Sequence, residues 1–410
     1  MTAKRLPLIL LALGFLLRLT YILFFHHMDQ SIYSDMRNYI QVADQILAGE
    51  WKATHFFQPI GFPYLIYLLK LMTPNWMGWL EGVHLVTATA SLYLIWKTVK
   101  ESFGEKAALI TLFVTGLHFN WIIFTSMVLA ENLFIFFLSL LAWLSLKLLR
   151  NFNTQNAILW GVTFVAAFLI KGTHIFIVPL FLLGILAWKR LAGLKIAVLI
   201  SVVVWTGFIA HGVVTLKTIG KFQMSGSAGG LNFVEGKCPL KNNADSAGYS
   251  WLSPLYYQLD MMEMKKWDKP FTDSGYFMAQ GFECIKRNPL VLVQSLEGIP
   301  FLFIGNFMWP SSHFKPAAWM RLYELFFSIF LLTGLCIFIF LITRQKNPSE
   351  VLLVWITPML GLFLCVYIFK SEVRFRVPFD VWLIPMAVKG WLDLMELKYQ
   401  QLLANQVQHQ

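Results

Sequence analysis

Apolar runs of about 20 residues recur along the whole chain, separated by short charged or Gly/Pro-containing breaks. Each is long enough for a helix across a hydrocarbon core of about 30 Å. The pattern predicts about ten membrane-spanning helices, at approximately 6–26, 77–96, 107–124, 129–149, 156–171, 173–188, 195–215, 319–343, 350–369 and 377–397. The run 290–308 contains Glu297, Gly298 and Pro300, and reads as an interfacial helix rather than a span. The fold class is therefore an all-α polytopic membrane bundle. Two segments lie outside the spans, 27–76 and 216–318.

The first of these carries a different periodicity. Ser34 reads as an N-cap, with Asp35 in the first helical turn, where a negative charge suits the helix dipole. Tyr39, Val42, Ala43, Ile46 and Leu47 then recur at i, i+3, i+4, i+7 and i+8, and Gly49 is the stop signal. Such a helix is too short and too amphipathic to span, so it is expected on the membrane surface. A second short apolar stretch, 61–72, follows Pro59-Ile60-Gly61-Phe62-Pro63. Together they predict a surface platform that holds Asp35 near the headgroups.

Composition agrees with this reading and adds orientation. The chain is 57% hydrophobic and only 13% charged, against about 25% charged in ordinary soluble domains. Its net charge of +11 is not a nucleic-acid footprint, because many Lys and Arg residues sit at the ends of apolar runs. With the N-terminus in the cytoplasm, inner flanks receive Lys4/Arg5, Lys97/Lys100/Lys106, Lys147/Arg150, Lys189/Arg190/Lys195, Arg344/Lys346 and Lys398. The positive-inside rule then places both termini inside and makes 27–76 and 216–318 external. Residues 6–25 end in no small-residue cleavage site and read as a retained first span. Three parts follow: 1–215, an N-terminal transmembrane module with its external loop 27–76; 216–318, a long external loop with interfacial helices; and 319–410, C-terminal spans and a cytoplasmic tail. Cys336 and Cys365 fall in apolar spans. Cys238 and Cys284 share the long external segment, and the choice between a bridge and two free thiols is open.

The order "apolar span, Asp35, Tyr39, Ala43, Gly49, then P-x-G-x-P" resembles the membrane-embedded glycosyltransferases of the GT-C superfamily, notably the protein mannosyltransferase and aminoarabinose transferase type (glycosyltransferase family 39). The resemblance continues in "MVLAENLFIFFLSLLAW" (127–143), "IKRNPLVLVQSLEGIP" (285–300) and "SEVRFRVPFDVWLIPMA" (371–387). It implies transfer of a sugar from a polyprenyl-phosphate carrier to a protein, lipid or glycan acceptor on the non-cytoplasmic face of the membrane, by a single inverting displacement. Met36 stands where several relatives carry a second acid beside the first, so no metal-binding pair is expected there. No cofactor is called for beyond the lipid-linked donor, and the partners are the bilayer, that donor and an acceptor.

The residue types suit that chemistry. An attacking hydroxyl needs a base, and Asp35 is the candidate, with Glu131, at the start of the fourth span, assisting. A leaving lipid phosphate needs cations, and Lys171, Arg374 and Arg376 lie at outer span ends where topology does not call for them. Arg376, flush against the last span, is the preferred phosphate residue. His55 and His174 are possible substrate contacts, and Glu81 and His84 read as a local pair. A flippase or transporter of lipid-linked sugars, with charged or broken helices at the bilayer midplane, is one alternative. A surface-polysaccharide polymerase or ligase is the other.

Overall fold

The computed structural model describes residues 5–30, 32–238, 250–251, 270, 272–304, 318–344 and 352–408. Lys4, Lys346 and the polar stretch 239–249 fall outside the described residues. The described residues are helical almost throughout: α1 Leu6–Phe24, α2 Ser34–Leu47, α3 Gly61–Met72, α4 Trp76–Phe103, α5 Glu105–Gly116, α6 Phe119–Ile123, α7 Glu131–Arg150, α8 Thr154–Ile170 and α9 Ile177–Ile219. There follow α10 Ala228–Lys237, α11 Ser274–Arg287, α12 Val291–Gln294, α13 Gly298–Ile304, α14 Ala318–Ile342, a helix Thr357–Ile368 and a closing helix Val373–Gln408. The only strands among the described residues are Ser250–Trp251 and Ser371–Glu372, paired antiparallel.

Among the described residues, four helices qualify as membrane spans by length and composition, or five if a bent pair counts as one. Glu131–Arg150 and Met320–Ile342 are clear cases. The predicted spans 173–188 and 195–215 fall together within α9, whose helix is interrupted at Arg190 (φ 49°, ψ −127°). A Cβ on Gly193 would sit 2.9 Å from the Ile185 carbonyl oxygen. Eight residues of straight helix would separate the two by about 12 Å. The chain therefore folds back near Arg190, and its two apolar halves form a hairpin. The predicted span 107–124 is the bent pair: Glu105–Gly116 and Phe119–Ser126 meet at 56°.

That bend exposes helix-end carbonyls in an apolar layer, where unpaired backbone groups are costly. Arg18, fully buried in α1, donates to the carbonyls of Gly116 (3.0 Å) and Thr115 (3.4 Å) across the helix contact, and to its own Gly14 (2.9 Å). On the other side of the bend the Phe119 amide donates to the Tyr323 hydroxyl at 3.2 Å. The core sits around α7 and the closing helix, which is buried continuously from Phe375 to Val388. Much of α1, by contrast, leaves large apolar side chains such as Leu8, Leu16 and Phe24 exposed, as a lipid-facing helix does.

The amphipathic reading of α2 holds: Tyr39, Val42, Ala43 and Ile46 are buried, joined by Met36. Leu47 is exposed instead, and Gly49 ends the helix at φ +77°. The expected side-chain cap at Ser34 is not made. Ser34 is itself the first helical residue, at φ 45° in the left-handed region that non-glycine residues rarely adopt. Tyr39 packs edge-on against Phe62 of α3 at 5.1 Å between centroids, which fixes the two short helices against each other. The run after residue 290 continues through α12, a 3₁₀ turn Ser295–Glu297 and α13 as one short apolar helical stretch, Val291–Ile304, below the length of a span among the described residues. Cys238 and Cys284 are bridged, with Cα atoms 5.3 Å apart, which ties α10 to α11.

Candidate active site

The site is assembled from six chain segments that converge at the end of the bundle carrying α2. Asp35, in the first turn of α2, accepts from Arg374 Nη2 at 2.8 Å through one oxygen and from Gln58 Nε2 at 2.8 Å through the other. Arg374 comes from the first turn of the closing helix. Its Nε lies 3.4 Å from Glu131 Oε1, and the same oxygen is paired with Lys171 Nζ. Glu131 opens α7 and is almost wholly buried; Lys171 follows the last residue of α8 and is mostly buried. Glu372 Oε2 stands 3.9 Å from Arg374 Nε, and its other oxygen is 3.0 Å from Lys370 Nζ, which also pairs with Glu235 of α10 at 3.0 Å. The result is a row of alternating charge, Lys171–Glu131–Arg374–Glu372–Lys370–Glu235, with Asp35 joined to its third member.

This arrangement sets the protonation of Asp35. Burial alone would raise its carboxyl, but Arg374, then Lys171 and the Gln58 hydrogen bond, outweigh burial and hold it below the usual carboxylate range. An ionised Asp35 accepts only, which fixes the Gln58 amide with its NH₂ toward the acid. The second oxygen of Glu131 is buried and makes no hydrogen bond, an acceptor left open inside a cationic cluster. Among the described residues, no group of three or more His, Cys, Asp or Glu side chains is placed to hold a metal ion.

Of the predicted site residues, Asp35, Glu131, Lys171 and Arg374 are brought together. Arg376 is not. It is fully buried, donating to Ser328 at 3.2 Å and pairing with Glu324 at 3.3 Å and Asp380 at 3.5 Å. The reason is helical geometry: residues two apart on a helix do not face the same way, and the closing helix already begins at Val373. The second cluster continues from Asp380 to His118 Nε2 at 3.0 Å and from His118 Nδ1 to Tyr323 at 2.9 Å.

The two histidines also lie apart from the carboxylates. His55 is buried, with Nε2 on Gln45 at 2.6 Å and Nδ1 accepting from the Lys52 amide at 3.3 Å. It holds the turn after α2. His174 is fully buried against the carbonyls of Lys171 (3.1 Å) and Phe164 (3.2 Å); it braces the backbone that carries Lys171. Both rings make their hydrogen bonds within the protein, away from Asp35 and Arg374. Glu81 does not pair with His84 either; it accepts from the Met28 amide at 2.9 Å, while His84 stacks on Phe62 at 6.0 Å.

Sequence reasoning missed Gln58, Lys370 and Glu235. Gln58 had a signal, since it directly precedes the Pro-x-Gly-x-Pro cluster. Lys370 and Glu235 had none, because their pairing depends on how the segment after residue 216 docks.

Residues 58–213 match the family model described as dolichyl-phosphate-mannose-protein mannosyltransferase. No curated protein matches the chain. Among solved structures, the fold is similar to that of the Archaeoglobus fulgidus oligosaccharyltransferase tethered with an acceptor peptide containing the NVT sequon, at a TM-score of 0.51 and 14% identity. That match covers 96% of this chain and 50% of the other, so the chain spans half the length of that relative. ArnT from Cupriavidus metallidurans, bound to undecaprenyl phosphate, matches at a TM-score of 0.41 and 12% identity, over 93% of this chain and 77% of that one. The resemblance to membrane-embedded glycosyltransferases read from the residues is borne out by the family model and the shared fold.

Proposed function

We propose that the chain is an integral membrane glycosyltransferase that moves a sugar from a polyprenyl-phosphate carrier to a hydroxyl-bearing acceptor on the non-cytoplasmic face. The observation that carries this reading is one cluster holding a partly exposed carboxylate base and two cations: Asp35 at 2.8 Å from Arg374, with Lys171 joined to Arg374 through Glu131. The family description, with its dolichyl-phosphate-mannose donor, supports the choice of a lipid phosphate.

The displacement uses these groups as follows. The acceptor oxygen attacks the anomeric carbon as the bond from that carbon to the phosphate oxygen breaks. The acceptor proton passes to Asp35. The electron pair leaves with the lipid phosphate, whose growing negative charge is met by Arg374 and Lys171. Glu131 keeps both cations in place, and its open oxygen suits an acceptor hydroxyl. Attack opposite the leaving group inverts the anomeric centre.

Ten spans, both termini in the cytoplasm and external segments at 27–76 and 216–318 remain part of this reading, as do the three parts bounded at 215 and 318. In that frame the cluster lies at the outer ends of α7, α8 and the closing helix. The bend between α5 and α6 is the one feature a transporter would share. Its carbonyls accept from Arg18, and Arg376 beside it pairs with Glu324 and Asp380, which favours a structural break over a transport site.

The test is transfer from a panel of radiolabelled polyprenyl-phosphate sugars in membranes, with expression matched. Asp35→Asn keeps the shape and loses the base, and transfer should fall by about 10²- to 10⁴-fold. Arg374→Ala should weaken donor binding, with Arg374→Lys recovering only part because the guanidinium fork is gone. Wild-type transfer by Asp35→Asn, or a wild-type chain that turns over none of the panel, would overturn the reading.

A further inference from the structure

The proposed base is gripped from two sides, and only one grip is a cation. Gln58 Nε2 donates to Asp35 Oδ1 at 2.8 Å, and Gln58 Oε1 in turn accepts from Asn38 Nδ2 at 3.0 Å. Asn38 lies one turn along α2 from Asp35, so the amide bridges two points of the helix that carries the base. The backbone under Gln58 is held just as closely. The amides of Ser227 and Ala228, where α10 begins, donate to the carbonyls of Phe56 (2.8 Å) and Phe57 (2.9 Å). A Cβ on Gly226 would fall 2.9 Å from the Phe57 oxygen, 3.0 Å from the Gln58 carbonyl carbon and 3.1 Å from Pro59 N. Only glycine lets the two chains approach there. Gly226 and the amides of Ser227 and Ala228 thus seat residues 56–59, while Gly230 packs against Ser274 of α11.

Resting on the reading of Asp35 as base, we infer that Gln58 is its positioning residue, setting the plane of the carboxylate when Arg374 turns to the leaving phosphate. Two donors on opposite oxygens prevent rotation of the carboxylate, so its remaining lone pairs keep one direction. If Arg374 is drawn toward developing phosphate charge, the neutral amide alone preserves that direction. A neutral donor costs the base less proton affinity than a second cation would. The other charged and titratable groups facing Asp35 are Arg374 from the closing helix, Glu131 from α7, Lys171 after α8, and Tyr33 and Tyr39 from its own segment.

The direct measurement is infrared titration of the purified protein, following the carboxylic-acid band assigned to Asp35 by its loss in Asp35→Asn. Gln58 hydrogen-bonds the ionised form, so Gln58→Met should move Asp35 protonation to higher pH. Asn38→Ala, which frees the amide without touching Asp35, should move it the same way by less. In the transfer assay Gln58→Met should lower kcat by roughly 10- to 100-fold, as misorientation of a catalytic group does, with KM for the donor little changed. On an Asp35→Asn background it should cost nothing further. An unmoved Asp35 band in both variants, or an equal loss on both backgrounds, would overturn the role of Gln58 even with Asp35→Asn inactive. Full transfer by Asp35→Asn would instead fell the reading of the base.

Discussion

Removing Arg374 should convert the site from a stabilising cluster into a destabilising one, with a pH signature that identifies the cause. In Arg374→Ala, Asp35 loses its only cation within 4 Å among the described residues, and Glu131 keeps Lys171 alone. At 2.8 Å and an effective dielectric near 20, the Asp35–Arg374 attraction is about 6 kcal/mol. Most of it offsets the cost of burying the two groups. Breaking one partner out of a buried pair typically costs 3–5 kcal/mol. Both side chains keep about a quarter of their surface exposed (24% and 26%), so the lower end, about 3 kcal/mol, is expected. In the wild type the Asp35 carboxyl is held low, so its contribution is present above the unfolded value of about 3.9 and is lost as pH falls through the folded value. Without Arg374, burial dominates and the carboxyl rises. The variant then carries a penalty at neutral pH that shrinks as acid protonates Asp35. Thermal unfolding in detergent between pH 4 and 8 measures this. The gap in Tm between the two proteins should be widest near neutrality and narrow toward pH 4, and Asp35→Asn added to Arg374→Ala should recover part of it. A gap that stays constant with pH, or no gap at all, would refute the electrostatic account.

Two further outcomes are expected. The Cys238–Cys284 bridge closes a separation of 46 residues, for which chain-entropy models give roughly 4 kcal/mol, often less in practice. Cys284→Ser should therefore lower Tm in non-reducing buffer and make stability insensitive to reductant; a wild-type Tm would show that the bridge contributes nothing. For sidedness, a cysteine at Lys52 should label with an impermeant maleimide in intact cells and one at Lys106 only after permeabilisation. The opposite pattern would invert the orientation and the proposed reaction side.

How far the residues alone carried depended on which interactions are local in the chain. The α2 stripe was readable because a helix repeats its buried face every three to four residues, and all but Leu47 of the predicted face is buried. Leu47 sits at the last turn, where the chain is already leaving toward Gly49. The hairpin within α9 was readable because Lys189, Arg190 and Lys195 interrupt two apolar runs. The contacts of Arg18 were not, because one arginine inside an apolar run looks the same whether it faces lipid or caps a broken neighbour 98 residues away. The disulfide was left open for a similar reason: proximity of Cys238 and Cys284 depends on α10 lying along α11.

Arg374 and Arg376 show where a purely linear reading runs out. Both are arginines at the same span end, and the one flush with the apolar run looked better placed for a phosphate. In a helix beginning at Val373 the two are sent to different faces. One meets Asp35 and Glu131 and keeps a quarter of its surface open; the other meets Glu324 and Asp380 with none. Each cluster leaves a carboxylate oxygen without a hydrogen bond, Glu131 Oε2 and Asp380 Oδ1, so the physical distinction lies in exposure: about a quarter of Arg374 and Asp35 is open, none of Arg376 and Asp380. Around Arg376 the carboxylates are drawn into a buried network with His118, Tyr323 and Asn120 that joins α6, α14 and the closing helix. Such a network has no room for an incoming anion without breaking a buried pair. Around Arg374 the guanidinium is shared among Asp35, Glu131 and Glu372, and one oxygen of Glu131 has no donor. A cluster with a partly exposed cation can exchange partners at modest cost, as a site that binds and releases an anionic leaving group must. The same helix thus carries a buried bolt on one face and the proposed reactive cluster on the other, and the two-residue step between the arginines separates them.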